Sequence, residues 1–124
     1  MITLSSLALA LSGLGMLVAG WLTAIFLRDP LAALGHTTHR LPELPWVMAN
    51  RYGACMALAL GATLYADLKV IAYLFAVFAG MAFYDALIYG RQGHPYAKHL
   101  IAGLASTTVS VVALAAILKS GVAN

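Results

Sequence analysis

The chain has 124 residues, of which 63% are hydrophobic and 9% charged, with a formal net charge of +3 and a mean hydropathy of +0.92. A soluble domain is about half apolar and about a quarter charged, so this composition excludes an ordinary soluble domain and points to a membrane protein. The seven basic residues are spread singly rather than in a stripe, which excludes nucleic acid as a partner. A lone cysteine, Cys55, rules out an internal disulfide and a thiolate metal cluster and reads as a small packing residue.

Four spans of about 20 residues each fit this length with little left over, so a single transmembrane domain over residues 1–124 is expected. The first span runs from about residue 3 to 27. It carries no charge and ends at Arg28-Asp29-Pro30. It has no positive leader and its apolar stretch is too long for a signal peptide, so it reads as a span. Asp29 as N-cap, Pro30 as first helical residue and Gly35 as a stop predict a short interfacial helix over 30–34. Residues 36–45, with prolines at 42 and 45, read as a loop.

The second span covers about 46–66. Asp67-Leu68-Lys69 is a tight connection that forces an antiparallel hairpin into a third span, about 70–90. Arg91-Gln92-Gly93-His94-Pro95 is a loop, and the fourth span, about 96–118, closes at Lys119. The halves of the chain show no internal repeat, which argues against an inverted-repeat transporter. The expected fold is all-α: an up-and-down four-helix transmembrane bundle with a short interfacial helix after the first span.

Basic residues orient such a bundle. Arg28, Arg40, Arg91, Lys98 and Arg51 lie toward one side, Lys69 and Lys119 toward the other. The first and third loops are therefore expected in the cytoplasm and both termini outside, in the inner (plasma) membrane. Trp46, Tyr89 and Tyr96 fit an aromatic belt at the cytoplasmic interface.

Ionisable groups inside a span are costly and mark functional sites by default. Arg51 lies about 7 Å past Trp46 along its helix and Asp85 about 9 Å before Arg91. His99 is one turn past Tyr96. The three depths match, so Arg51 and Asp85 are placed to meet, a pair being cheaper in lipid than either charge alone. Tyr89 follows Asp85 by one turn, and Asn50 and Tyr52 flank Arg51. His99, Gly103, Ser106 and Ser110 form one polar stripe along the fourth helix. The structural alternative is a clasp: an Arg51–Asp85 pair that fixes helix register, or an Arg51 that snorkels to the interface.

Gly53, Ala57 and Gly61 form a ladder of small residues, as do Ala72, Ala76 and Gly80, while Gly13 and Gly20 thin the first helix. Such ladders serve packing within the bundle or a homodimer; internal packing is the favoured use. His36, His39, His94 and His99, with Glu43 and Asp85, are weighed as metal ligands. They match no established metal spacing, and no metal or cofactor is expected. There is no glycine-rich phosphate loop, nucleotide fingerprint or Ser/His/Asp order.

Two known four-span classes do not fit. Small multidrug exporters need an embedded Glu in the first helix, which here holds no acid. Dual-topology fluoride channels open with a glycine-rich stretch leading to an Arg, which is missing. A different likeness spans most of the chain. Gly20–Pro30 closes the first helix at a proline, and an Ala-rich turn, Leu31-Ala32-Ala33-Leu34-Gly35, follows. Arg51-Tyr52-Gly53-Ala54 opens the second helix, Asp85-Ala86-Leu87-Ile88 comes late in the third, and His99 and Gly103 stand in the fourth. Together these resemble a family of small bacterial and fungal four-helix membrane proteins known as a domain of unknown function, distantly similar to DoxX-like proteins. Tyr84 stands where members often have glycine. The resemblance implies the four-helix fold and singles out Arg51, Asp85 and His99; it implies no activity.

The expected function is a cytoplasm-facing polar pocket for a small lipophilic molecule. Asp85, His99 and Tyr89 are its candidate catalytic or proton-handling residues, and Arg51, Asn50, Tyr52 and Tyr84 its ligand-binding ones. Phe78, Met81 and Phe83 are candidate apolar wall. Isomerase- or cyclase-type acid–base chemistry would suit it. The alternative is a non-catalytic accessory subunit that binds a copy of itself or a partner membrane subunit; a proton-coupled transporter comes third. The expected partners are the lipid bilayer, a small lipophilic ligand, and a homodimer or partner subunit.

Overall fold

Local capping decides where the helices start. The computed structural model describes residues 21–37 and 39–122. The chain divides into two compact units, Met1–Asn50 and Arg51–Asn124, with the boundary inside a helix. Every regular element among the described residues is helical.

In the first unit, residues 21–28 are helical (α1); the remainder of the expected first span, residues 3–20, with Gly13 and Gly20, lies outside the described residues. Helix α2 spans Pro30–His36. The Asp29 carboxylate accepts from the Ala32 amide at 3.0 Å, and Pro30 occupies the first turn, where its missing N–H goes unused. The helix runs past the expected stop at Gly35. Thr37 ends it instead: its amide donates to the Ala33 carbonyl at 3.0 Å and its hydroxyl to the same carbonyl at 2.9 Å. Ala33, 1% exposed, is the tightly packed residue of α2. The expected loop over 36–45 is partly helical. Leu41–Glu43 forms a 3-10 turn, and α3 (Leu44–Tyr65) already contains Pro45 in its first turn.

The second unit holds the rest of α3 with α4 (Leu68–Arg91) and α5 (Ala97–Val122). The turn between α3 and α4 is shorter than expected. Ala66 takes a left-handed conformation at φ 52°, and Asp67 caps α4 by accepting from the amides of Lys69 at 2.8 Å and Val70 at 3.4 Å.

Helices α4 and α5 pack antiparallel along a seam of small residues. The alanines at 72, 79 and 86, seven apart on α4, are buried, as are Gly103, Ser110 and Ala113 on α5. A seven-residue spacing keeps one stripe on a facing helix. The Ser110 hydroxyl donates to the Ala72 carbonyl at 2.8 Å. Phe83 lies over Gly103 so closely that a Cβ there would meet its ring at 2.5 Å.

The expected ladders are not this seam. Gly53, Gly61 and Gly80 have open space where a Cβ would project, and Ala57 and Ala76 are exposed. Only Ala72 of those residues is deeply buried. The four-residue spacing fixed a stripe but not the face that meets a neighbour.

Two helices among the described residues, α4 and the 97–119 part of α5, are long and apolar enough to cross a membrane. Only 17% of the most apolar window of each is buried by the protein itself. Helix α3 has 22 residues, about 33 Å at 1.5 Å per residue, but Asn50 and Arg51 make its first half less apolar.

Candidate functional site

A cavity of about 200 Å³ opens within the second unit. Helix α3 contributes Arg51, Tyr52 and Cys55; α4 contributes Phe78, Met81, Ala82 and Asp85; α5 contributes His99, Ala102 and Ser106. The spacings are those of single helix faces: 51, 52 and 55 on α3; 78, 81, 82 and 85 on α4; 99, 102 and 106 on α5. The α4–α5 seam fixes the latter two faces beside each other. Pairing Ala72 with Ser110 near one end and Phe83 with Gly103 toward the other brings Asp85 level with His99.

Asp85 Oδ2 lies 3.9 Å from His99 Nδ1, with the two side chains 27% and 29% exposed. That is an electrostatic contact when the imidazole is protonated, and too long for a hydrogen bond. The Tyr89 ring lies against His99, centroids 4.8 Å apart at 31°, and His94 meets the same tyrosine edge-on at 6.1 Å and 64°. Tyr89 therefore packs between two imidazoles and buttresses the His99 ring. Arg51 sits on the cavity wall, exposed, and forms no ion pair with Asp85 or any other described carboxylate.

The expected residues sort as follows. Arg51, Tyr52, Asp85 and His99 share the cavity, and Tyr89 joins it through its ring contact with His99. Asn50 and Tyr84 are exposed and are not part of its lining. Phe78 and Met81 are wall residues, whereas Phe83 packs on Gly103 away from it, because two residues along a helix turn a side chain by about 200°. The polar stripe on α5 divides in the same way: His99 and Ser106 line the cavity while Gly103 and Ser110 enter the seam. Cys55, Ala82 and Ala102 are wall residues that sequence reading left out. Each stands three or four positions from Arg51, Asp85 or His99, and that spacing was the available signal.

Chemically the cavity combines a carboxylate, an imidazole and a guanidinium with apolar walls. Asp85 and His99 stand side by side at 3.9 Å, an acid and an imidazole of the kind used in proton transfer. Arg51 is a fixed cation for an anionic or developing negative oxygen. Among the described residues no three His, Cys, Asp or Glu side chains converge as a metal site. No family model, curated protein or solved structure matches the chain.

Proposed function

We propose that this chain is a small four-helix integral membrane protein, of the domain-of-unknown-function family distantly similar to DoxX-like proteins that it resembles, and that it binds a small lipophilic molecule in the cavity of Arg51, Asp85 and His99. The observation that carries this reading is the gathering of one acid, one imidazole and one cation on a cavity whose wall includes the apolar Phe78, Met81, Ala82 and Ala102. Such a site offers an apolar ligand a dry wall and a few convergent polar groups. The large exposed aliphatic surface of α4 and α5 supports placing it in lipid, since apolar residues uncovered by the protein need another apolar solvent. The charge distribution supports a topology with the first and third loops in the cytoplasm and the termini outside, in which the cavity opens toward the inner leaflet of the plasma membrane.

The reaction class that suits the trio is acid–base isomerisation or cyclisation. His99 moves a proton with the Asp85 carboxylate beside it, and Arg51 holds the substrate oxygen on which negative charge develops. A second reading has its own observation. The Gly53–Ala57–Gly61 face of α3 is open, and such a face suits a helix of a second copy or of a partner subunit.

Native mass spectrometry of the protein released from mild detergent tests the first reading. Wild type is expected to carry a small organic molecule that Asp85→Asn and His99→Ala lose. An apo mass, or an adduct that both variants keep, would discard the pocket in favour of the partner-binding reading.

A further inference from the structure

A second, larger recess lies on the other side of the α4–α5 seam. It has a volume of about 500 Å³ and is lined by Phe83, Ala86, Leu87, Gly90, Arg91, Tyr96 and Leu100. On α4 its residues follow 83, 86, 87, 90, a helix face turned well away from the 78, 81, 82, 85 face of the first cavity. From Phe83 to Arg91 it extends about 12 Å along the helix axis. Its floor is apolar and its mouth is cationic. Arg91, which closes α4, is the cation at this mouth. The Tyr96 ring packs against Gly90, 3.5 Å from where a Cβ would stand, and forms one edge.

Within the second unit no carboxylate compensates the charge at this mouth. No Asp or Glu follows Asp85 in the chain. Arg91 forms no ion pair among the described residues, and the Asp85 carboxylate faces His99. Asp67, the other acid of this unit, stands at the opposite end of α4. An apolar groove with an unpaired guanidinium at its mouth is complementary to one kind of molecule: an amphiphile with an anionic head and a hydrocarbon tail.

We infer that this groove is a binding site for an anionic phospholipid, its phosphate on Arg91 and its acyl chain along Phe83, Leu87 and Leu100. The inference rests on the membrane reading above, in which this loop faces the cytoplasmic leaflet, where anionic lipids attract basic residues near the surface. Arginine matches a phosphate with two parallel donors, so it fixes the headgroup as well as attracting it. The site does not depend on what occupies the first cavity.

The test is lipid retention by the whole chain in mild detergent, read by native mass spectrometry with phosphatidylglycerol and phosphatidylcholine of identical acyl chains. Wild type is expected to retain phosphatidylglycerol at least about tenfold better, a difference equivalent to about 1.4 kcal/mol. Arg91→Gln is expected to abolish that preference, and Lys119→Gln, at the far end of α5, to leave it intact. Leu100→Trp plugs the groove without altering charge and is expected to lower phosphatidylglycerol retention as much as Arg91→Gln does. Equal retention of the two lipids by wild type, or a preference that survives both Arg91→Gln and Leu100→Trp, would overturn the site. Carbonate washing of membranes separates this failure from that of the underlying reading. A chain that stays in the bilayer without a lipid preference loses only the phospholipid site, whereas a chain released to the supernatant loses the membrane placement as well.

Discussion

Gly103 is a point of close approach in the α4–α5 seam, and it sets two known effects against each other. Replacing a helical glycine with alanine gains about 1 kcal/mol in propensity. A Cβ at 103 would also lie 2.5 Å from the Phe83 ring, and overpacking of that kind costs about 1–3 kcal/mol. Gly103→Ala is therefore expected to lower the unfolding temperature in detergent, and Phe83→Leu to restore it. Gly80→Ala, where the Cβ meets open space, is expected to be neutral or stabilising by up to about 1 kcal/mol. The reverse order in a thermal melt of the two variants would contradict the seam. At this scale the sequence disclosed which residues share a depth but not which face they take. Depth follows from counting along each helix, so Arg51, Asp85 and His99 could be placed at one level. Azimuth depends on which stripe meets the neighbouring helix. That is why Asp85 lies nearest His99 rather than Arg51, and why Phe83 covers Gly103 rather than the cavity.

Among the elements, α4 and α5 carry the second unit, and small side chains let them approach. Ala79 sits in the middle of the buried row at 6% exposure, whereas Ala76, three residues earlier, is exposed. Ala79→Leu is expected to destabilise the fold by about 1–3 kcal/mol through overpacking, and Ala76→Leu to change it little. Chemical unfolding of the two variants in detergent checks this; equal effects would mean that α4 uses another face. Element boundaries were largely readable because caps are local chemistry. Asp29 was legible as a cap, whereas Asp67, read only as part of a connection, also starts a helix through its own carboxylate and moves the start of α4 back to Leu68. The ends were less readable. Thr37 rather than Gly35 terminates α2, and α5 continues past Lys119 to Val122, since a favourable stop residue competes with hydrogen bonds that the sequence alone does not reveal.

For the whole molecule, composition carried the class and the chain's own burial pattern supports it: two long apolar helices are left largely uncovered. The four-span bundle goes further than those two helices. Its first span lies mostly outside the described residues, and α3 combines membrane-spanning length with Asn50 and Arg51 near its start. In the proposed arrangement Arg51 belongs beside the cavity rather than in lipid, which is how a bilayer tolerates it. The central claim is that α3, α4 and α5 enclose a real cavity around Asp85 and His99, and the chain contains a reporter for it. Cys55 is the single cysteine and lies on the cavity wall. The most direct measurement is the rate at which a small membrane-permeant maleimide labels Cys55 in native membranes, for wild type and for Ala102→Trp, which fills the cavity from the α5 side. The account predicts labelling of wild type and at least about a tenfold slower rate in Ala102→Trp, about 1.4 kcal/mol in the barrier. A Cys55 that reacts equally fast in both proteins, or in neither, would contradict it.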